Sequence, residues 1–267
     1  MDDLDAGWDD EVDVVCTDAG LAGLATAIVT VDAGGSVFVA RQPAPPEPAD
    51  WFTVDSGDPD TAHYLRELTA DIELETLPRS TVDLPVRLVR EPEPMPGRRI
   101  RTFDGSLLRD WAMQCVPARS GYLYSRVAGW DASALESADG DALAVAEVGS
   151  MAPDSADVGG SVLRWLDSLA GETGVDPEPV TSLERLVFDE GVVTGAVFAI
   201  GDDRLSIRAR HGVLVCRAGG AARAGGDHGL ATGAPLRVAL VGKVASRFGR
   251  VELLTSDPEV LAEYRWR

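Results

Sequence analysis

The chain has 267 residues, 45% of them hydrophobic, and a formal net charge of −20. This length supplies one substantial hydrophobic core, with or without a smaller inserted lobe, and disfavours two independent domains. So negative a chain is a poor partner for a nucleic-acid backbone or an anionic membrane surface.

Composition also predicts the compartment and the redox state. The sequence has no apolar run of about 18 residues, the length that a membrane-spanning helix needs, and it opens with the acidic stretch MDDLDAGWDD instead of a leader peptide. We therefore expect a soluble, cytoplasmic protein. Cys16, Cys115 and Cys216 are widely spaced, which predicts buried, reduced thiols, and neither they nor the three histidines have the spacing of a metal site.

The first predicted element is a dinucleotide-type strand, turn and helix over residues 13–35, DVVCTDAGLAGLATAIVTVDAGG. Gly20 and Gly23 hold the second and third glycine positions of a GxGxxG motif, and apolar residues continue at helical spacing. Asp18 stands where the first glycine belongs. The N-terminus of such a helix offers unpaired N–H groups to a pyrophosphate, and Asp18 places a negative charge there instead.

The size of this conflict is considerable. Two unit charges about 5 Å apart repel by about 3 kcal/mol at an effective dielectric constant of roughly 20, which corresponds to about a hundredfold in affinity. Aspartate is also a preferred N-cap, so we expect Asp18 to accept hydrogen bonds from the N–H groups of Gly20 or Leu21. The hypothesis is that Asp18 replaces the phosphate.

The remaining elements follow in chain order. A second parallel strand is expected at 36–41, ending at Arg41, before a proline-rich stretch and a lobe boundary near residue 43. The patterns then predict helices at 58–77, 103–116 and 161–171, and strands at 121–127, 183–188, 192–200, 205–209, 212–216, 236–241 and 250–254. Residues 78–97 are expected to lack regular structure, 133–140 to form a loop, and 183–209 to form an antiparallel meander.

Several segments in this order resemble one known family. They are DVVCTDAGLAGL, EPEPMPGRRIRTFDGSLL, GGSVLRWLDSLAGETGV, LERLVFDEGVVTGAVFAI and GVLVCRAGG. Together they are similar to the flavoprotein-subunit family of FAD-dependent oxidoreductases that includes fumarate reductase, succinate dehydrogenase and the 3-ketosteroid dehydrogenases. The resemblance implies an α/β fold with a Rossmann-like, FAD-binding-type parallel sheet, an antiparallel meander and a reduced cap lobe. The nucleotide-binding-type domain is then 1–42 plus 158–267, and the inserted cap lobe is 43–157.

The departures from the family fall on its cofactor contacts. The family positions in this chain are Asp18, Gly20, Gly23, Arg41, Arg217, Gly219 and Gly220. Asp18 replaces a glycine, Arg41 replaces the acid that binds the FAD ribose, and Arg217 replaces a small residue. The Gly/Ser-rich flavin loop is missing between residues 42 and 60, and the family's closing C-terminal segment has no counterpart. The resemblance therefore implies a truncated, degenerate member that has lost FAD.

No catalytic residue is carried over. The family's substrate-side tyrosine or histidine would fall at 89–91, where neither occurs, and Arg98, Arg99 and Arg101 are interpreted as surface arginines and not as ligands of a dicarboxylate.

Three local alternatives stay open. The first concerns the two arginines: either Arg41 or Arg217 pairs with Asp18, or Arg41 accepts the 2′-phosphate of an NADP-like ligand. The second concerns Cys16 and Cys216, which end neighbouring strands and are either buried small residues or a redox pair. The third alternative concerns Trp51 and Phe52, which dock a partner or fill the isoalloxazine site.

Two functions fit this pattern. In the first, the chain is a pseudoenzyme that does not bind FAD in the usual way and acts through protein contacts, beside a complete flavoprotein paralogue or another protein partner. In the second, it is an FAD-dependent oxidoreductase with a rebuilt site that a partner chain completes.

Overall fold

The computed structural model describes residues 7–43, 57–72, 84–92, 105–126, 132–216 and 234–265. The helices in these ranges are α1 Leu21–Asp32, α2 Pro59–Leu68, α3 Gly105–Cys115, α4 Val158–Glu172 and α5 Pro258–Arg265. The strands are β1 Asp10–Cys16, β2 Val37–Arg41, β3 Val86–Arg90, β4 Gly121–Tyr124, β5 Ser133–Ser137, β6 Ala142–Met151, β7 Glu178–Pro179, β8 Ser182–Asp189, β9 Val192–Ile200, β10 Asp203–Cys216, β11 Leu236–Gly242 and β12 Phe248–Thr255.

The predicted strand, turn and helix at the start of the chain is confirmed. β1 lies between β10 and β2 and is parallel to both, and the short β7 continues beside β2. α1 follows β1, packs against α4 and buries most of its residues. The buried side chains of β1 and the apolar face of α1 therefore form part of the core. Because β1 and β2 are parallel, their carboxyl ends lie at the same edge of the sheet.

The antiparallel meander is also confirmed, with one change. β8 pairs with β9 and β9 with β10, through turns at Glu190-Gly191 and Gly201 where φ is positive. The strands predicted at 205–209 and 212–216 are one continuous strand, β10. Its first half closes the meander, and its residues 207–214 pair with β1, with a register shift near Gly212, whose φ of 146° favours glycine.

A closed five-stranded barrel forms the other half of the sheet, and sequence patterns did not predict it. β11 pairs with β6, β6 with β5, β5 with β3, β3 with β12, and β12 returns to β11. β4 bridges the two halves because it pairs with both β12 and β10. The α/β class is confirmed, but in the described residues the parallel pairs are limited to the run β10, β1, β2 and β7 and to β3 with β12, and the other pairs are antiparallel.

Two barrel strands correct expectations. Residues 78–97 were expected to be irregular, yet β3 forms between Pro85 and Pro92, because the prolines bound the strand instead of interrupting it. Residues 133–140 were expected to be a loop, yet β5 pairs on both sides and buries Leu135 and Ser137. Pairing with neighbouring strands overrides the weak strand propensity of small and acidic residues.

The predicted helices are confirmed with shifted ends. α2 begins at Pro59 with Asp58 as its N-cap, whose carboxylate accepts a hydrogen bond from the Thr61 N–H, and it ends at Leu68. α4 begins earlier than predicted, because Asp157 caps it through the Gly160 N–H.

Hydrogen bonding is continuous across the predicted lobe boundary. β3, β4, β5 and β6 belong to the predicted insert 43–157, and three of them, β3, β4 and β6, pair with β10, β11 or β12 of the predicted outer domain. The division into 1–42 plus 158–267 and an inserted lobe stays a prediction.

A buried ionic cluster lies on β12. Glu252 is fully buried and accepts hydrogen bonds from Arg87 Nη2 and Arg250 Nε, both at 2.7 Å. The two guanidinium groups lie 5.8 and 5.2 Å from the ring centre of Trp111, which α3 packs into the core cluster of barrel side chains. Burial alone would raise the pKa of Glu252, but the hydrogen bond from Arg87 and the charge of Arg250 lower it below its usual value.

We expect Glu252→Gln to destabilise the protein by about 3 kcal/mol, because it removes the buried carboxylate that binds two largely buried guanidinium groups. Urea unfolding at neutral pH measures this change. Glu184→Gln is the control, because its ion pair with Arg204 is largely exposed, and we expect a loss under about 1 kcal/mol.

The wild type and Glu252→Gln should also differ in how their stability depends on pH. The folded pKa of Glu252 is lowered, so its stabilisation is present at neutral pH and is lost as the pH falls through that pKa. Between neutral pH and pH ~3, the wild type should lose more stability than Glu252→Gln. Equal acid sensitivity of the two proteins would contradict the charged state of Glu252.

Candidate functional site

The candidate site begins at the turn between β1 and α1. The N-cap of α1 is Gly20, in an extended conformation, and no side chain caps the helix there. The prediction that Asp18 caps α1 is therefore wrong. Asp18 lies two residues before the N-cap, and its carboxylate is directed toward the end of β2 instead.

Gln42 holds the Asp18 carboxylate. The backbone N–H of Gln42 donates to Asp18 Oδ1 at 3.1 Å, and the Gln42 side-chain amide donates to the carbonyl oxygen of Thr17 at 2.7 Å. Asp18 is only 2% exposed. These two hydrogen bonds tie the carboxyl ends of β1 and β2 together and fix a buried negative charge at that edge.

The end of β10 contacts the same turn. The Cys216 N–H donates to Thr17 Oγ1 at 3.1 Å, and the Cys216 thiol donates to the Asp18 carbonyl oxygen at 3.3 Å. Burial, together with the negative charge of Asp18, raises the pKa of Cys216 to about 12, and burial raises that of Cys16. All three cysteines are buried free thiols, and neither Cys16 nor Cys216 is a reactive thiolate at neutral pH.

Gly23 has a structural reason to be glycine. A Cβ atom at this position would collide with the carbonyl oxygen of Asp18 and would lie 3.4 Å from the Cys216 sulfur. The third glycine of the motif therefore allows α1 to approach the turn closely. Gly20, by contrast, has a φ of −76°, which other residues adopt readily.

Arg41, the last residue of β2, lies at the same edge of the sheet. Its Nη2 lies 2.6 Å from Asp167 Oδ1 on α4, and both side chains are about half exposed. Of the two pairings proposed for Asp18, the one with Arg41 is wrong, because the guanidinium binds Asp167. Arg217, Gly219 and Gly220 lie outside the described residues, as do Trp51 and Phe52.

A cavity of about 310 Å³ opens at this edge. It lies where the carboxyl ends of β1 and β2 face α4, the usual position of ligands in open α/β sheets. Its lining consists of Asp18, Ala19, Arg41, Gln42, Leu163, Arg164 and Asp167. The structure thus brings together Asp18 and Arg41 of the predicted set, and it adds Gln42, Arg164 and Asp167, which sequence reasoning missed.

Other candidate residues do not join this site. His63 is exposed on α2, and His211 Nε2 lies 3.5 Å from Asp13 Oδ1 beside the middle of β1. His228, Arg98, Arg99 and Arg101 lie outside the described residues. Within the described ranges, no group of three or more metal-binding side chains is arranged to hold an ion. None of the helices in those ranges is long and apolar enough to cross a membrane.

Comparison with protein-family models finds no match, and comparison with curated proteins finds none. Among solved structures, the chain is similar to a 3-ketosteroid-Δ4-(5α)-dehydrogenase from Rhodococcus jostii, with 18% identity and a TM-score of 0.34, over 79% of this chain and 46% of that one. It is similar to a myxobacterial chondrochloren halogenase, a variant of FAD-dependent halogenases, with 13% identity and a TM-score of 0.29, over 75% and 36% of the two chains. It is also similar to a flavocytochrome c3 fumarate reductase, with 16% identity and a TM-score of 0.31, over 76% and 33%.

The chain spans less than half the length of each of these proteins. The dehydrogenase and the fumarate reductase are of the kinds named in the sequence resemblance. TM-scores and identities this low do not place the chain in a family, and they carry no conclusion about its activity.

We expect Gly23→Ala to destabilise the protein by at least about 2 kcal/mol, because the added methyl group collides with backbone at the β1–α1 turn. Thermal unfolding measures the loss. Gly171→Ala is the matched control within α4, where an added Cβ meets no atom within 4 Å, and we expect it to be neutral or to stabilise by up to about 1 kcal/mol. Equal effects of the two substitutions would contradict the close approach at Gly23.

Proposed function

We propose that this chain is a flavoprotein-like scaffold that does not bind FAD in the usual way and acts through contacts with another protein. The observation that carries this proposal is the buried carboxylate of Asp18, held by the Gln42 N–H at the carboxyl end of β1. In a dinucleotide-binding fold the pyrophosphate approaches the helix that follows this strand.

Charge disfavours a pyrophosphate at this position. A carboxylate about 5 Å from a phosphate costs about 3 kcal/mol at an effective dielectric constant of roughly 20, and burial increases the cost. The Gln42 N–H donates to Asp18 Oδ1 and fixes the position of the carboxylate at this edge.

The ribose side of the edge also departs from a nucleotide site. Where β2 ends, an acidic residue normally accepts hydrogen bonds from ribose hydroxyl groups. Arg41 stands there and binds Asp167 on α4. The ion pair spans the gap between β2 and α4, and the cavity that is left has about 310 Å³, near the lower limit for pockets of drug-sized ligands.

A second candidate function is an FAD-dependent oxidoreductase whose site a partner chain completes. The observation that favours it is the open cavity at the carboxyl edge of the parallel strands, in the position where such folds bind their cofactors. Both candidates need a protein partner, and only the second needs the flavin.

Flavin content separates the two candidates. We expect the purified protein to be colourless and its melting temperature to be unchanged by excess FAD. Binding of FAD would be visible in this experiment, because a ligand at 100 times its Kd adds about 2.7 kcal/mol of stability. Visible absorbance and thermal unfolding with and without FAD are the measurements. A yellow protein that releases FAD on denaturation would overturn the proposal in favour of the second candidate.

A further inference from the structure

We infer that the barrel binds a small phosphate oxyanion where α3 packs against it, through the side chains of Arg87, Arg250 and Lys243. These residues lie on other elements than the carboxyl edge of β1 and β2, so the inference is independent of the proposed function. Two observations support it: an excess of positive charge around Trp111, and guanidinium nitrogens that donate to no protein atom but keep accessible surface.

Three cations lie around one aromatic ring. The guanidinium carbons of Arg87 and Arg250 and the Nζ atom of Lys243 lie 5.8, 5.2 and 5.9 Å from the ring centre of Trp111. Their side chains are 19%, 12% and 13% exposed, in the same order. Lys243 directly follows β11, and Arg250 pairs with Val241 two residues earlier in that strand. The two side chains are therefore neighbours on one face of the β11–β12 hairpin.

The carboxylates around these cations do not balance them. Within the described residues, the three cations pair with two carboxylates, those of Glu252 and Asp141. Glu252 is fully buried and pairs with both arginines, whereas the Asp141 side chain, whose Oδ2 lies 3.1 Å from Lys243 Nζ, is 47% exposed. One positive charge is left over, in surroundings that are largely desolvated. An anion that enters here gains more than it would at an exposed arginine.

Both arginines also have donors to spare. Glu252 Oε1 accepts from Arg87 Nη2 and from Arg250 Nε, both at 2.7 Å, so the two guanidinium groups are adjacent. Arg87 Nε donates to the same carboxylate, and Arg250 Nη1 donates to the carbonyl oxygen of Gln114. Arg87 Nη1 and Arg250 Nη2 donate to no atom of the described residues, and neither is buried without a partner there. Both nitrogens therefore have accessible surface.

This arrangement selects the ligand class. Forked guanidinium groups bind phosphate oxygens well, and a lysine ammonium adds a compact positive charge. Glu252 already fixes the conformations of both arginines, so little side-chain entropy is lost on binding. Because only a small part of each cation is accessible, the ligand is a compact ion, and we assign it as free inorganic phosphate.

The reactivity of Lys243 provides a direct test, because it is the only lysine in the sequence. The full chain is treated with limiting acetic anhydride, with and without inorganic phosphate, at an ionic strength kept constant with sodium chloride. Peptide mass mapping gives the acetylation rate at Lys243, and the N-terminal amine is the internal control. We expect a Kd of about 1 mM or tighter, so about 10 mM phosphate should slow acetylation of Lys243 by about tenfold. An unchanged rate at this concentration would overturn the inference.

Isothermal titration with variants tests the assigned residues. Lys243→Gln should weaken phosphate binding by about tenfold or more, because it removes the charge that the carboxylates leave unbalanced. Arg204→Gln, in an exposed ion pair on the meander, is the control and should keep the wild-type affinity. Glu252→Gln removes a negative charge from the same cluster, so phosphate should raise its melting temperature more than that of the wild type.

Glycerol 3-phosphate distinguishes the free ion from a phosphate monoester. We expect it to bind at least about tenfold more weakly than inorganic phosphate. Equal or tighter binding of the ester would contradict the assignment of the free ion. Full phosphate affinity in Lys243→Gln would overturn the site itself.

Discussion

The hydrogen bond from the Gln42 N–H to the carboxylate of Asp18 is the contact on which the candidate site depends. It joins the carboxyl ends of β1 and β2, and it keeps a negative charge buried at the edge where a parallel α/β sheet binds its ligands. The close packing of Gly23 against the Asp18 carbonyl oxygen fixes the same turn from the side of α1. The turn is therefore held by backbone contacts that do not need a cofactor.

β10 connects this edge to the rest of the molecule. Its first half completes the meander, its residues 207–214 pair with β1, and its last three residues pair with β4, which leads to the barrel. The last residue of β10, Cys216, donates its N–H to Thr17 beside Asp18. A change at the edge of β1 is thus coupled to a strand that both halves of the sheet share.

Sequence patterns were sufficient to predict the elements with strong periodicity. The β1–α1 unit, the meander and α4 follow from alternating or helical apolar spacing together with turn glycines. The barrel was missed because β3 and β5 are short and lie among prolines or small acidic residues, and long-range pairing stabilises them. One signal was available: Glu252 is a single charge among Val251, Leu253 and Leu254, which is the pattern of a buried ion pair.

Prediction of the candidate site from sequence was limited in a similar way. Asp18 was recognised as the unusual residue, but its role as N-cap and its pairing with Arg41 were wrong, since both depended on side-chain directions that a motif does not give. Gln42 and Asp167 came from outside the motif, one residue past a strand and on a distant helix.

The most direct measurement is equilibrium dialysis of ADP against the wild type and Asp18→Gly, because ADP carries the pyrophosphate without the flavin. If the buried carboxylate is what keeps phosphate from this edge, removing it should raise the ADP affinity by on the order of a hundredfold. Equal affinities in the two proteins would contradict the central role of Asp18.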